Sequence, residues 1–559
     1  MNMLRVAAIA VALAPYALAQ RLVWRIDGVA AGDQLGRSVA GIGDMDHDGC
    51  DDLIVGAWQG GSVGAGQARV ISGRTGTVLR YFAGDNLGDE FGRAVGAAGD
   101  FDGDGYVDVV IGAPGDDDAA TDAGSVSVFS GRTGYLIVKF LPPTSGGAGA
   151  MFGYRVDGAG DLDGDGYDDI LVGAPLFDTA TLVDAGAAMA YSGRTRLILR
   201  QWTGTEAGEQ LGHGLAIVGD LDGDLLDDVA LGSPMWELGT TGDYGRMRAF
   251  SGRTGTLITE VRGATTSEYL GWSVGRADDI DGTLGSRVMV GGPQYDSSRR
   301  GRVTLAPAPS VVLYGRDLNS AFFGCAVAGT GDIDGDGYDD MIIGAYGDRT
   351  VAVNAGAAHV VSGRTRTALH IFDGANAEDW LGYSVDGAGD IDGDGATEVI
   401  IGVPFDDHAA TDAGAALIYD FDVPGPTART VRFGSPCAHA NHFLPRVGWV
   451  GHPIVGRSFE LRLRAGAWAA PVVLNLGTPI DLDLTGYGMP GCHLLANIDV
   501  ISVVLTASTF GTATSGPIAI PDVPAAIGVQ LAAQWIAVDT AANPLGFVLS
   551  DSVRLTIGG

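Results

Sequence analysis

Six short stretches of this chain alternate aspartates in a pattern that builds an oxygen cage for a hard cation. In the clearest of them Asp100, Asp102 and Asp104 alternate, Gly105 follows, Tyr106 comes next and Asp108 closes the set. Alternation points three carboxylates inward at one centre, and the glycine permits the sharp turn. The backbone carbonyl of Tyr106 adds an oxygen and Asp108 offers two more. A donor set made only of hard oxygens selects calcium over zinc or copper, and the number of ligands favours it over the smaller, water-retaining magnesium. Without a cation, carboxylates at this spacing repel one another.

The same positions recur five more times. They are Asp44, Asp46, Asp48, the carbonyl of Cys50 and Asp52; Asp161, Asp163, Asp165, Tyr167 and Asp169; and Asp220, Asp222, Asp224, Leu226 and Asp228. Further along come Asp332, Asp334, Asp336, Tyr338 and Asp340, then Asp390, Asp392, Asp394, Ala396 and Glu398. About six calcium sites are expected. The fourth loop carries Leu225 where the turn glycine belongs, so its geometry is the least regular. A further loop, beginning at Asp279, keeps Asp281 but continues with Thr283 and Leu284 and has Arg287 in place of the closing acid. No metal is expected there, with Arg287 supplying the positive charge. An EF-hand shares the early ligand spacing but needs a glutamate at position twelve and flanking helices. Here position twelve is Val55, Ile111 or Val172, inside a strand-like run.

Counting the irregular one, seven acidic loops start at Asp44, Asp100, Asp161, Asp220, Asp279, Asp332 and Asp390, 53 to 61 residues apart. Each is preceded by a hydrophobic-Gly pair and followed by a Val/Ile/Leu run that ends in a small-residue turn. A repeat of this length holds about four strands, one propeller blade. The first shows the order: Leu35 to Ala40, the acidic loop, Leu53 to Ala57, Ala68 to Ile71, a Ser72-Gly73-Arg74-Thr75 turn, and Val78 to Phe82. The second run is apolar on both faces, as a strand sandwiched between neighbours must be. The expected fold is therefore all-β, a seven-bladed propeller of four-stranded blades over residues 21–422. The last repeat supplies only three runs, and residues 21–26 form an orphan fourth run predicted to complete blade seven. An open ring leaves strand edges exposed.

The pairs Phe91-Gly92, Phe152-Gly153 and Phe323-Gly324, with Gly112-Ala113-Pro114 and Gly173-Ala174-Pro175, resemble the FG-GAP repeats of integrin α-subunit propellers and their bacterial relatives. Other copies drift to Leu-Gly, or to Gly232-Ser233-Pro234 and Gly402-Val403-Pro404. The resemblance covers residues 21–422 and implies a seven-bladed propeller whose ligands bind on the face away from the metal loops. On that side the sequence places Asp116, Asp117, Asp118, Asp178, Trp236, Tyr244, Tyr295, Asp348, Asp406, Asp407 and His408, a polar surface with aromatics suited to protein or sugar. Five turn arginines, Arg74, Arg132, Arg194, Arg253 and Arg364, are expected to support the acidic loops from the same face.

Past Pro426 the repeat stops. Alternation in Phe459 to Arg464 and short apolar runs near 471–476, 499–505, 529–537 and 553–557 predict a β-sandwich over 427–559. Cys437 and Cys492 are a candidate disulfide. Their neighbours His439, His442 and His493 leave a zinc site as the alternative. Cys50 and Cys325 read as small, partly buried residues. At the other end Arg5, an apolar run from Val6 to Leu13, Pro15 and Ala17-Leu18-Ala19 read as a secretory signal peptide, residues 1–19. No later segment is apolar enough to span a bilayer.

The formal charge of -34 over 559 residues argues against nucleic acid and anionic membrane as partners. No local nucleophile, base and orienting group come together in the sequence. The chain is accordingly expected to be a secreted or cell-surface, calcium-binding, non-catalytic adhesion scaffold whose partner is an extracellular protein or glycan. An extracellular enzyme or accessory protein acting on polysaccharide, and a structural cell-envelope component, are the alternatives.

Overall fold

The computed structural model describes residues 20–421, apart from 62–63, 144–145, 238–241, 282–285, 295–299, 308–309, 317–319 and 395, together with a set of strands between Arg429 and Thr556. The signal-peptide reading of residues 1–19, the two cysteines Cys437 and Cys492 with their histidines, and Tyr295 lie outside the described residues.

Seven four-stranded antiparallel sheets follow one another along the chain. Blade 1 comprises Ser38–Gly43, Asp52–Ala57, Gln67–Ile71 and Val78–Ala83, in that spatial order. The first strand of each blade is innermost, and these seven strands touch in sequence around the axis. The circle ends with Val385–Gly389 of the last blade against Ser38–Gly43 of the first. In that last blade the outer strand is Gln20–Asp27, antiparallel to Ala415–Phe421. Trp24 anchors it with an indole N–H donated to the carbonyl of Gly73, 2.7 Å away, in blade 1. The N-terminal strand thus covers the edge of Ala415–Phe421 and supplies the fourth strand of the sheet that closes the ring.

The second strands explain their all-apolar sequences. Leu53, Ile54 and Val55 are completely buried, as are Val109, Val110 and Ile111. Each hydrophobic cluster is shared by adjacent blades: Ile54 and Val70 of blade 1 pack with Val95, Val109 and Ile111 of blade 2.

The two sequence motifs are one inter-blade latch. Phe91 forms a parallel bridge with Gly66 of the preceding blade, and the equivalent bridge recurs at Leu35, Phe152, Leu211, Leu270, Phe323 and Leu381, so all seven junctions carry it. The motif glycine then donates its N–H to the glycine opening the small-residue turn of its own blade, as Gly92 does to the Gly112 carbonyl at 3.0 Å. Gly92 has φ of 83°, a conformation that strongly favours glycine. A Cβ on Gly112 would stand 2.1 Å from the Gly153 carbonyl oxygen of the next blade. Glycine is required at both positions because backbones of adjacent blades touch there.

Beyond the propeller, Arg429–Phe433, Phe547–Thr556, Gln530–Val538, Pro471–Gly477 and Ile501–Thr506 form a five-stranded antiparallel sheet. A second sheet pairs Arg446–Val450 with Ser458–Arg464 and adds the short strands Ala513–Thr514 and Ile518–Ala519. Trp535, Leu461 and Leu555 are wholly buried.

Candidate metal centres

Each acidic loop joins the first strand of a blade to the second, so all seven open on one face of the disc. Inside a loop the first aspartate organises the turn. Asp161 accepts the amides of Gly164 and Asp165 on Oδ1, at 2.7 and 3.2 Å, and that of Gly166 on Oδ2, at 3.0 Å. The fifth-position carboxylate accepts the amide two residues on, as Asp165 does from Tyr167 at 3.0 Å. The loop of Asp332 repeats this arrangement with Gly337 and Tyr338. In the fourth loop Leu225 adopts φ of 70° and still donates to Asp220 Oδ2 at 2.9 Å. The turn survives without glycine by accepting a strained backbone, at a cost of about 1 kcal/mol.

Carboxylate oxygens converge in these loops to within 4.8 Å of one another. The groups include Asp44, Asp46 and Asp48; Asp100, Asp102 and Asp108; Asp161, Asp163 and Asp169; and Asp220, Asp222 and Asp228. The fifth-position side chains Asp104, Asp165 and Asp224 are not members of these triads. Their oxygens face the turn amide on one side and, for Asp104 and Asp224, a turn arginine on the other. Arg253 lies 3.3 Å from Asp224, Arg74 lies 3.5 Å from Asp48, Arg364 lies 3.8 Å from Asp336 and Arg132 lies 3.9 Å from Asp104. The Ser-Gly-Arg-Thr turn and the acidic loop therefore meet on one face.

The closing acid does more than the sequence suggests. Asp169 is fully buried, and its two oxygens accept Gly193 N of the arginine turn at 3.1 Å and Leu162 N of its own loop at 2.8 Å. Asp340 and Asp228 make the same two contacts. One carboxylate thus staples loop, strand and turn, so that both oxygens of the closing acid carry a backbone amide rather than forming a free bidentate face. Burial first, and the neighbouring loop carboxylates after it, push Asp108 up to about 8 and Asp52 to about 7. Burial likewise raises Glu398 to about 10, with Asp392 and Asp390 adding to the effect, and holds Asp169 and Asp340 well above the usual carboxylate range. Buried acids crowded together without a counter-charge fit a site designed around a cation.

One set of residues escaped the sequence reading. Asp51, Asp168 and Asp227, each just before a closing acid, reach across to the preceding blade. Their Oδ2 atoms accept the amides of Asp390, Asp100 and Asp161 at 2.8, 2.8 and 3.1 Å. Each tie fixes the first ligand position of a neighbouring loop. The only trace in sequence was a second aspartate beside the closing one, which reads as extra loop acidity.

In the irregular loop Arg287 binds Asp281 at 2.6 Å and the Pro307 carbonyl at 2.6 Å. A guanidinium occupies the side of the loop where the closing carboxylate sits elsewhere. Thr283 and Leu284 lie outside the described residues.

On the opposite face several residues read from sequence as ligand-facing are structural. Asp116 is buried and binds Lys139 at 2.7 Å and Ser125 at 2.7 Å. Asp348 is buried against Arg316 at 2.9 Å, and Asp406 pairs with Arg25 at 2.5 Å. Trp236 is buried beneath Arg246 and Arg262. These loops are short, so acids at their bases fold back onto basic side chains (Lys139, Arg316 and Arg25), whereas Asp117, Asp118, Asp407 and His408 remain exposed. Cys50 and Cys325 are both free thiols and fully rather than partly buried.

The sequence profile of the FG-GAP repeat matches residues 91–129, 152–188, 323–361 and 381–419. The chain carries FG-GAP repeats. Those segments are blades 2, 3, 6 and 7, and the latch geometry extends the same repeat to the other three. The chain is also a distant homologue of integrin alpha subunits. It is 30% identical over 276 residues to integrin alpha-5 of Xenopus laevis, covering 48% of this chain and 21% of that protein. With integrin alpha-8 of Homo sapiens it shares 29% identity over 326 residues, covering 54% of this chain and 25% of the relative. It therefore spans about a fifth to a quarter of the length of these relatives. Among the described residues no helix is long and apolar enough to cross a membrane.

Proposed function

We propose that this chain is an exported, calcium-loaded FG-GAP propeller that acts as a non-catalytic binding scaffold of the adhesion type, engaging an extracellular protein or glycan. The observation carrying this reading is the repetition of one oxygen-rich loop, with its buried closing acid, at six of seven blade positions on a single face. The first, third and closing acids and the carbonyl at position seven are the proposed ligands, joined by the fifth-position carboxylate, which in the Asp44 loop already converges with the first and third. The cation supplies the positive charge that lets these buried acids ionise together, which stiffens the loops joining blade to blade. At a free calcium concentration ten times the dissociation constant each site stabilises the fold by roughly 1.4 kcal/mol. The role is support, and the opposite face is left for recognition.

The propeller unit is proposed to span 21–422, and residues 427–559 to form a β-sandwich from the two sheets described. The relationship to integrin alpha subunits and the leader-like N-terminus support export. A glycan and surface-protein array probed with the purified chain in calcium and in chelator tests the reading: calcium-dependent capture is expected. Turnover of a polysaccharide by the purified chain, or self-assembly with neither binding nor turnover, contradicts it.

A further inference from the structure

The residue immediately after each hydrophobic-Gly pair sits at the mouth of the central channel, on the face away from the acidic loops. Around the ring these residues are Arg37, Arg93, Tyr154, His213, Trp272, Cys325 and Tyr383. They form a nearly continuous arc of alternating cations and rings. The Arg37 guanidinium lies 4.3 Å from the Tyr383 ring centre and 4.9 Å from that of Trp58. Arg93 lies 5.0 Å from Trp58 and 4.6 Å from Tyr154. Tyr154 meets His213 at 5.1 Å, and His213 meets Trp272 at 4.3 Å.

Below this arc is a cavity of about 520 Å³ lined by Arg155, Asp157, Tyr383, Asp386 and Arg276 among others, a size typical of small-ligand sites. Among the described residues no carboxylate pairs with Arg37 or Arg155, whereas Arg93 binds Glu90 at 3.0 Å. Deeper in the channel, where Asp278 and Asp339 also line the cavity, Arg276 is paired with Asp278 at 2.7 Å, and two further acids are held by backbone amides. Asp157 accepts Ile217 N at 2.8 Å and Gly158 N at 2.9 Å, and Asp386 accepts Gly41 N at 3.1 Å and Gly387 N at 3.0 Å. Burial first, and the neighbouring Arg93 and Arg155 after it, push the Arg37 ionisation downward, opposed by Tyr383 and Tyr154. His213 is lowered to about 3 by burial, with Arg155 adding to the effect, so its imidazole is neutral. In a chain of net charge -34, the mouth thus gathers three arginines, Arg37, Arg93 and Arg155, around one ion-paired acid, Glu90.

We infer that the channel mouth is a binding site for a carboxylate-bearing sugar, a hexuronate unit of an acidic glycan, whose carboxylate is taken by Arg155 and Arg37 and whose ring packs on the surrounding aromatic arc. Planar guanidinium forks match a carboxylate through paired hydrogen bonds, and tyrosine and tryptophan offer apolar faces with a polar edge. An extended peptide fits less well, because it needs main-chain partners. The motif glycine amides at the mouth are already bonded within their own blades, for example Gly36 N to Gly56 O at 3.0 Å and Gly382 N to Gly402 O at 3.1 Å. The inference rests on the scaffold reading above and adds the ligand chemistry and its place.

Calorimetric titration of the full chain in calcium tests it, with a glucuronate oligosaccharide, its carboxyl-reduced counterpart and a glutamate-rich peptide as probes. The acidic sugar is expected to bind, and carboxyl reduction to weaken it at least about tenfold, the loss of one charge-assisted pair. Arg155→Gln and Arg37→Gln each weaken it similarly, Arg155→Lys less so, and Arg349→Gln, at an exposed site on blade 6, not at all. Melting curves in calcium confirm that the variants fold. Equal binding of acid and reduced sugar, binding unaffected by both Gln variants, preference for the peptide, or no binding of any probe overturns the mouth site. Calcium-dependent array capture that survives both Gln variants overturns it while leaving the scaffold reading intact, and loss of calcium uptake with mouth binding retained does the reverse.

Discussion

Replacing Asp169 by asparagine separates the two jobs of the closing acid. The side chain is fully buried between Gly193 N at 3.1 Å and Leu162 N at 2.8 Å. Asparagine has nearly the same shape, but its amide group must face one of those two N–H donors. A buried donor left in this way costs about 1–3 kcal/mol. In chelator burial favours the protonated acid, which already turns an O–H toward the same surroundings, so a net loss of only about 1 kcal/mol is expected. In calcium at about 100 times the dissociation constant, loss of the site removes a further ~2.7 kcal/mol. Urea unfolding of both proteins in calcium and in chelator measures the difference. The variant is expected to lose several times more stability in calcium than in chelator. An equal loss in the two buffers means that Asp169 is only a structural staple, and the cation argument for the closing acid fails.

Three other outcomes follow from the same geometry. Burial raises Asp157 to about 6 and Asp386 to about 7, and the closing acids shift in the same direction. Because the folded state holds protons that the unfolded chain releases, stability falls as pH rises. The melting midpoint in chelator should therefore drop steadily from pH 5 to pH 8, and saturating calcium should abolish or reverse that slope. A midpoint in chelator that rises with pH contradicts this. Arg287→Met strips Asp281 of its 2.6 Å partner and should destabilise by about 2 kcal/mol, equally with and without calcium, since the loop it serves is proposed to hold none. A loss seen in calcium alone would place a cation there. Gly112→Ala puts a Cβ 2.1 Å from the Gly153 carbonyl and should cost about 3 kcal/mol in denaturant titrations; a neutral effect would show that adjacent blades do not touch there.

The ring was legible because its repeat is written in backbone requirements. Glycine at Gly92 and Gly112 is demanded by a positive φ and by a carbonyl from the next blade, so the motif survives even where phenylalanine has drifted to Leu35, Leu211 or Leu270. The convergence of the alternating aspartates was legible too, since their fixed spacing brings the carboxylates to within 4.8 Å of one another. What could not be read was any contact between blades made by a single side chain. Asp168 lies 68 residues from the amide it fixes at Asp100, and nothing local distinguishes it from a solvated neighbour of Asp169. The opposite face was misread for a related cause: Asp116, Asp348 and Trp236 look exposed in a loop sequence, but strand residues Lys139 and Arg246 and the more distant Arg316 cover them. The aromatic and arginine arc at the channel mouth was invisible because its members are one per repeat and differ in type.

Equilibrium calcium binding by the purified chain, followed by calorimetry against a chelator-stripped sample, bears most directly on the claim that the acidic loops are cation sites of a closed seven-bladed ring. Uptake of about six ions per chain, accompanied by a rise in melting temperature, is the result expected. No uptake, or uptake that leaves the melting temperature unchanged, would contradict it.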